Sequence, residues 1–241
     1  MTAAGSSART LGRPRLHLRA IGSTNERAKE LAGAGAPHGT LVTADEQVAG
    51  RGRQGRSWHA PPGCAVLASV VVRELTEATA PLPLAVAVAV CEACEALGSG
   101  PCAIKWPNDV WIERRKVAGI LVEGRAGERW AVIGVGLNVS TVREDFPPEV
   151  RESATSLRIA AGLDVAPSEA LEELLAALER RLGDPSDAVL EAWGARDALR
   201  SAAVRWSGGQ GTAAGVSSTG ALLVDTAEGR TLLDAGEVHL R

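Results

Sequence analysis

The stretch GRGRQG, residues 50–55, fits the G-x-G-x-x-G pattern of a dinucleotide-binding turn and so decides between two fold classes. A dinucleotide-binding fold needs a strand before this turn and a helix that opens at its last glycines, so that the helix amino terminus meets the pyrophosphate. A predicted strand does precede Gly50, but SWHAPPG (57–63) follows, and its two prolines and glycine cannot form that helix. The sequence therefore argues against a doubly wound fold and against NAD chemistry.

The same loop carries Arg51, Arg53 and Arg56 within seven residues. Guanidinium groups match phosphate and carboxylate oxygens with paired hydrogen bonds. A glycine-rich loop with three such groups suits a polyanion that must be wrapped and then released. A solvated basic loop with no binding role is the alternative that the motif alone leaves open.

The segments around the loop alternate between strands and helices without regular strand–helix–strand units. Ser23 and Glu26 have the spacing of a capping box and predict a helix that runs to about Leu31. Apolar periodicity predicts strands at 16–20, 40–44, 64–72, 103–106, 110–112, 117–123 and 130–139, a long loop at 45–63, and helices at 82–98, 168–183 and 187–200. This pattern predicts an α+β fold, with a mixed central sheet, hairpins and flanking helices.

The last segments of the chain are short and apolar and are separated by glycine and serine turns. They are AVRW, GTAAGV, GALLVD, RTLLDA and EVHL, and such spacing is typical of a small β-barrel. We therefore expect an amino-terminal tail at residues 1–14, a main domain at 15–196 and a second, small domain at 197–241.

The composition limits the classes of protein. The 241 residues are 45% hydrophobic and 23% charged, with a net charge of −3, which predicts a soluble globule and offers no overall attraction to nucleic acid or a membrane surface. No apolar run reaches membrane-spanning length and no secretory signal is visible, so we expect a cytoplasmic protein. Cys91 and Cys94 form a C-x-x-C pair inside a predicted helix, which favours buried side chains over a metal site; no protein metal site is expected.

Lysine and asparagine are rare in this chain, with three residues of each type. Arginine replaces lysine easily as a surface charge but poorly as a compact point charge, so the retained lysines are candidates for function. Five of the six lie in segments framed by glycines or turns: Asn25, Lys105, Asn108, Lys116 and Asn138. Two of these segments, KVAGILVE (116–123) and GVGLN (134–138), are strands with internal glycine, which often marks the close approach of a ligand or of another backbone.

These motifs together resemble the biotin protein ligases. The resemblance rests on STN (23–25), Q-x-x-GRGRQGRSW (47–58), KWPNDV (105–110), KVAGILVE (116–123) and GVGLN (134–138), in that family's order and spacing. It covers most of residues 15–241. It implies a central mixed sheet related to class II aminoacyl-tRNA synthetases, followed by an SH3-like domain. Because about 15 residues precede the first core strand, the chain resembles the monofunctional type without a DNA-binding domain.

The resemblance also implies a two-step reaction. Biotin and ATP, with Mg²⁺ for the triphosphate, give biotinyl-5′-AMP, and the biotin then passes to a lysine of a biotin carboxyl carrier protein. Catalysis is implied for Lys116, Arg51, Arg53 and Asp109. Biotin binding is implied for Ser23, Thr24, Asn25, Gln47, Gly50, Arg51, Gly52, Arg53, Lys116, Gly119 and Gly136. ATP binding is implied for Arg53, Arg56, Trp58, Asn108, Asp109, Lys116 and Asn138.

Several alternatives remain open at this stage. Asp109 is a candidate to orient or deprotonate the acceptor lysine, but it could instead serve a metal ion or the first step. The position at which some relatives stack a tryptophan on adenine falls near Ala154–Leu157, which holds no tryptophan. A lipoate ligase of the same fold and a non-catalytic, ligand-responsive binding module are the rival functions. We expect a monomer or weak homodimer that binds no nucleic acid.

Overall fold

The computed structural model describes residues 10–73, 82–124, 128–234, 236 and 238–240. Its helices are α1 (Thr24–Gly33), α2 (Leu82–Ala96), α3 (Leu157–Ala161), α4 (Pro167–Leu182) and α5 (Ser186–Gly194). Its strands are β1 (Arg15–Ile21), β2 (Leu41–Gln47), β3 (Ala65–Arg73), β4 (Ala103–Lys105), β5 (Asp109–Ile112), β6 (Arg115–Gly124), β7 (Trp130–Asn138), β8 (Ala203–Trp206), β9 (Gly209–Val216), β10 (Leu222–Thr226), β11 (Gly229–Leu233) and β12 (His239–Leu240).

The first seven strands form one mixed sheet in the order β1-β2-β3-β7-β6-β5-β4. β1 and β2 are parallel because α1 carries the chain back between them, whereas the other neighbouring strands are antiparallel. The predicted α+β fold with a mixed central sheet is therefore confirmed.

The sheet is covered on both faces, and the two-residue period of β3 shows how. Val66, Ala68, Val70 and Val72 belong to the large core formed with α2 and α4, whereas Val71 packs with α1 in a smaller cluster. Alternate side chains of a strand point to opposite faces, so the uninterrupted apolar sequence of β3 is that of a central strand buried on both sides. α2 is also buried on more than one side, because it lies between the sheet and the helices α4 and α5. Its sequence is therefore apolar around most of its surface.

Local structure differs from the sequence-based expectations at two helix ends. Ser23 caps α1 by accepting from the Glu26 amide at 3.5 Å, but the Glu26 carboxylate pairs with basic side chains and does not complete the capping box. The expected helix at 187–200 ends at Gly194. After it, the Arg196 carbonyl accepts from the Ile104 amide at 2.7 Å, so the chain pairs with β4 there.

The amino-terminal part of the chain packs on the main domain before β1 begins. Leu11 is buried, and its amide donates to the Glu179 carboxylate of α4 at 2.8 Å. Residues 1–9 of the expected tail lie outside the described residues.

The carboxyl-terminal strands form a separate antiparallel sheet in the order β11-β10-β9-β8-β12, which confirms the expected small SH3-like β-domain. Trp106, 2% exposed, joins the two sheets, because its indole nitrogen donates to the Gly220 carbonyl at 3.0 Å. Among the described residues, no helix is long and apolar enough to cross a membrane.

The C-x-x-C pair lies inside α2, where Cys91 and Cys94 are buried. Cys102, which precedes β4, hydrogen-bonds to both thiols, and burial together with these contacts raises the pKa of Cys91. The pair is thus part of a three-thiol cluster, a contact that sequence spacing did not predict.

Candidate functional site

One pocket of about 320 Å³ opens on the face of the sheet that carries α1. Its described lining is Ser23, Thr24, Asn25, Gln47, Arg51, Gly52, Arg53, Arg56, Ser57, Trp58, Ala68, Lys105, Asn108, Asp109, Trp111, Arg114, Lys116, Gly119, Ile120, Leu121, Gly134, Val135, Gly136, Val150 and Ser153. This volume suits a small organic ligand. We call the part around Ser23, Thr24, Asn25 and Gln47 the neutral end, and the part around Asp109, Arg114 and Lys116 the cationic end.

The neutral end is built where β1 passes into α1. The residues Ser23, Thr24 and Asn25 are each no more than 5% exposed, and Thr24 is held by Gln47 at the end of β2. The Gln47 side-chain carbonyl accepts from the Thr24 amide at 2.7 Å and from its hydroxyl at 3.0 Å. These side chains offer donors and acceptors without a net charge.

Asn25 spans three strands of the sheet. Its side-chain nitrogen donates to the Leu121 carbonyl at 3.1 Å and to Glu123 at 2.9 Å, and its oxygen accepts from the Ser69 hydroxyl at 2.6 Å. Gly134 lies directly beneath, where an added Cβ would stand 2.1 Å from the Asn25 oxygen. Gly134 is therefore required for this orientation of Asn25.

Trp58 lies over the middle of the pocket floor. An added Cβ at Gly136 would stand 2.4 Å from the Trp58 ring, and one at Gly119 would stand 2.9 Å from it. In this structure the two glycines therefore make room for an indole ring, whereas the family resemblance implied that both glycines contact biotin. Within the described part of the chain, the buried Trp58 indole nitrogen has no hydrogen-bond partner.

The cationic end is carried by the β4–β5 and β5–β6 hairpins. Lys116 Nζ lies 2.7 Å from Asp109 Oδ1 and 5.6 Å from the centre of the Trp58 ring. Lys105 and Asp109 are backbone partners in the register of β4 and β5. The Lys105 ammonium lies 5.5 Å from the centre of the Trp111 ring.

The loop that carries Arg51, Arg53 and Arg56, residues 50–58, folds back on itself; we call it the arginine loop. The Trp58 amide donates to the Gly50 carbonyl at 2.9 Å, and the Gly52 amide to the Arg56 carbonyl at 2.7 Å. An added Cβ at Gly50 would stand 2.5 Å from the Trp58 carbonyl oxygen, so this first glycine permits the close turn. Burial, followed by the neighbouring Arg56 charge, lowers the pKa of Arg53; the loop thus holds like charges together at the pocket.

An ion-pair chain connects the arginine loop to the neutral end. Arg51 pairs with Glu26 on α1, Glu26 with Lys29 at 2.8 Å, and Lys29 with Glu123 at 3.0 Å. The hydrogen bond from Lys29 is the largest of the contacts that lower the pKa of Glu26. Burial alone would lower the pKa of Lys29, but its bonds to Glu26 and Glu123 outweigh it, and the pKa is raised. Because Glu123 also accepts from Asn25, this series of ion pairs extends to the neutral end of the pocket.

The structure brings all but two of the sequence-predicted site residues to the pocket lining. Gly50 is not among the lining residues, but it permits the close approach of Trp58 that closes the arginine loop. Asn138 lies away from the pocket: its nitrogen donates to the Thr155 carbonyl at 2.9 Å, and among the described residues its buried oxygen has no partner. Asn108 lines the pocket and is also tied to β6 through Ile120 at 2.9 Å. The binding roles of these residues remain predictions.

Sequence reasoning missed several lining residues. Gly134 had a signal, because it shares the strand GVGLN with Gly136. Trp111, Arg114, Val150 and Ser153 had none, since only the pairing of strands and loops brings them to the pocket.

The described residues contain no group of three histidine, cysteine or acidic side chains that could hold a metal ion. Among the described lining residues, Asp109 is the one carboxylate, and it is paired with Lys116. Mg²⁺ usually keeps several waters and is held by one or two carboxylates together with substrate phosphates. The donor set therefore fits a magnesium ion that arrives with a nucleotide.

Comparison with known proteins identifies the family to which the chain is similar. The family model "Biotin/lipoate A/B protein ligase family" matches residues 18–140, and "Biotin protein ligase C terminal domain" matches residues 210–241. The chain is 34% identical over 249 residues to the bifunctional ligase/repressor BirA of Bacillus spizizenii, covering 98% of this chain and 77% of that protein. It is also 34% identical over 236 residues to the biotin–[acetyl-CoA-carboxylase] ligase of Mycobacterium tuberculosis, covering 91% of this chain and 86% of that protein.

A solved structure gives the same result. The biotin protein ligase of Aquifex aeolicus in complex with biotin and ATP is similar with a TM-score of 0.83 and 30% identity, covering 95% of this chain and 99% of that chain. Sequence and fold thus agree over both the main domain and the small carboxyl-terminal domain. The chain belongs to the biotin/lipoate A/B protein ligase family.

Proposed function

We propose that this protein is an ATP-dependent biotin protein ligase. In the first step the biotin carboxylate attacks the α-phosphorus of ATP, which gives biotinyl-5′-AMP and releases pyrophosphate. In the second step the neutral amine of an acceptor lysine attacks the mixed anhydride, which gives a biotinyl amide and releases AMP. The acceptor is a biotin carboxyl carrier protein or domain.

One observation carries the proposal: a single pocket joins an uncharged hydrogen-bonding end to a cationic end, with Lys116 between the glycine floor and Asp109. The ureido group of biotin is neutral and has both donors and acceptors, which suits Ser23, Thr24 and Gln47. The biotin carboxylate and the triphosphate are anions, which suits the other end. The names of the relatives and the complex of the Aquifex aeolicus protein with biotin and ATP support the same reading.

Positive charge placed in advance is what the first step requires, because an anion must approach a polyanion. Lys116 is assigned to the biotin carboxylate and the α-phosphate. Arg51 and Arg53 are assigned to cover the adenylate, and Arg56 to the phosphates. Mg²⁺, brought by ATP, would neutralise charge on the triphosphate near Asp109.

The second step requires a neutral amine. An unperturbed lysine has a pKa of about 10.4, so only a small fraction of its side chains is neutral at pH 7. Asp109 is the carboxylate of the cationic end and is assigned to orient or deprotonate the acceptor lysine. Lys116 Nζ pairs with Asp109 Oδ1 at 2.7 Å. When Lys116 rotates toward a bound anion, both oxygens of Asp109 become available to accept from the acceptor amine.

A lipoate ligase is the rival within the family. The dithiolane of lipoate has no amide-like donors or acceptors, so it would leave the buried polar groups of the neutral end without new partners. The hydrogen-bonding character of Thr24, Asn25 and Gln47 therefore favours biotin.

The test is mass spectrometry of a biotin-carboxylase carrier domain after incubation with the enzyme and ATP, with biotin in one sample and lipoate in another. The proposal expects a mass increase of one biotin that requires ATP and the acceptor lysine. A lipoyl increase alone would assign the chain to the rival ligase. No increase, with biotin still bound, would indicate a binding module without turnover.

A further inference from the structure

The hairpin between β5 and β6 carries an arginine at its tip that the sequence did not single out. Ile112 pairs with Arg115, so the connection is the two-residue turn Glu113-Arg114. Both turn residues have positive φ, 48° at Glu113 and 62° at Arg114. Turns of this type favour asparagine and glycine, because a larger side chain is disfavoured in the left-handed region. The hairpin thus keeps an arginine at a position where its backbone is strained.

Arg114 lines the cationic end, and within the described ranges it makes no ion pair or side-chain hydrogen bond. Its neighbour Arg115 behaves differently, because it pairs with Glu113 at 3.3 Å and is not part of the described lining. Strain at a pocket residue is a reason to look for a role in binding.

Charges face one another across the cationic end. The arginine loop supplies Arg53 and Arg56 on one side, and the strands and hairpin supply Lys105, Lys116 and Arg114 on the other. Asp109 is the one carboxylate among the described lining residues. Cations supplied by both the loop and the hairpins suit a small polyanion bound inside the pocket better than an acceptor protein that contacts only its rim.

We infer that Arg114 binds the terminal phosphates of the nucleotide, which leave as pyrophosphate in the first step; this rests on the proposed function. Arg114 precedes Lys116 by two residues, or about 7 Å of extended chain. The terminal phosphates of a nucleotide whose α-phosphate is held at Lys116 are therefore within reach of the Arg114 side chain. The planar guanidinium can donate two parallel hydrogen bonds to phosphate oxygens.

The experiment uses Arg114→Gly in the full chain. Glycine accepts a φ of 62° without strain, so the variant should fold and be at least as stable as the wild type. Loss of a charge-assisted hydrogen bond should raise the KM for ATP about tenfold and weaken inhibition by pyrophosphate by a similar factor. The KM for biotin, and transfer from preformed biotinyl-AMP to the carrier domain, should stay within about twofold of the wild-type values.

Arg115→Ala is the matched control, because it removes the same charge from the same hairpin outside the described pocket lining; its KM for ATP should stay within about twofold. An unchanged KM for ATP in Arg114→Gly would overturn the inference. So would a raised KM for the carrier domain with a normal KM for ATP, since Arg114 would then contact the acceptor. A wild-type chain without biotin-dependent pyrophosphate release would overturn the proposed function and this inference together.

Discussion

The two ends of the pocket are built in different ways. At the neutral end, the polar side chains lie at the start of α1, at its cap and at the end of β2. Hydrogen bonds to the backbone or to neighbouring side chains hold them, as Leu121 and Ser69 hold Asn25. At the cationic end, Asp109 and Lys116 lie on the strands of hairpins and Arg114 lies in a hairpin turn. The charges there contact one another in ion pairs, such as that of Lys116 with Asp109. A site that must recognise one uncharged group needs fixed geometry, whereas a site that must bind a polyanion and release pyrophosphate needs partners that exchange.

Lys116→Ala should have the largest effect. We expect biotin-dependent pyrophosphate release to fall by a factor of about 10² to 10³, because a preorganised charge at the reacting phosphate is removed. The free energy of unfolding should change by less than about 1 kcal/mol, since the side chain is 32% exposed and its ion pair is screened. Lys116→Arg keeps the charge and should recover little activity. Near-normal release in Lys116→Ala would show that another cation does this work.

Gly134→Ala tests the fixed geometry of the neutral end. The added Cβ would stand 2.1 Å from the Asn25 oxygen, so Asn25 must turn away and lose its buried hydrogen bonds. We expect the KM for biotin to rise by about tenfold to a hundredfold, with a loss of about 1–3 kcal/mol of stability. The control is Gly33→Ala in α1, where an added Cβ meets nothing within 4 Å and should be neutral or stabilising. Normal biotin affinity in Gly134→Ala would mean that Asn25 does not need its present orientation.

Arg53→Gly separates retention of the intermediate from chemistry. Arg53 lies in the turn at the middle of the arginine loop, so we expect biotinyl-AMP still to form but to escape about ten times faster or more, as one charge-assisted hydrogen bond is lost. Escaped adenylate acylates exposed lysines, and the biotin content of added serum albumin measures it. Slow labelling of the carrier domain with unlabelled albumin would instead place Arg53 in the first step.

Glu26 should show the smallest effect, a shift of stability with pH. Its pKa is lowered chiefly by the hydrogen bond from Lys29, so its ion pairs stabilise the fold above the unfolded-state pKa, and this contribution is lost as pH falls through the folded-state value. Glu26→Gln should therefore flatten the acid side of the stability curve slightly, because the carboxylate is 43% exposed. Urea unfolding of both proteins between pH 7 and pH 3 measures this. Parallel curves would show that Glu26 contributes no pH-dependent stability.

The sequence predicted the parts of the pocket that have a local signal. Glycines inside β6 and β7 and the arginine loop follow from spacing rules, whereas the family resemblance assigned STN (23–25) to the site. Ser23, Gly119 and Arg51 all line the pocket. Arg114 carried no such signal, because the strain and direction of the turn appear only once Ile112 is paired with Arg115.

Contacts between distant segments were also outside the reach of the sequence. The position of Trp58 over Gly119 and Gly136 depends on how the arginine loop folds back on the sheet. The same holds for Asn138, which resembled a site residue by composition but is turned to the Thr155 carbonyl. The expected helix at 187–200 was too long because the pairing of Arg196 with Ile104 prevails over helix propensity after Gly194.

The central claim is that one pocket activates biotin with ATP, and isotope exchange between labelled pyrophosphate and ATP measures this step without an acceptor. Label enters ATP only if the adenylate forms reversibly at the enzyme. The account predicts exchange that requires biotin, is not supported by lipoate, and is lost in Lys116→Ala. Exchange with lipoate instead of biotin, or exchange that persists in Lys116→Ala, would contradict it.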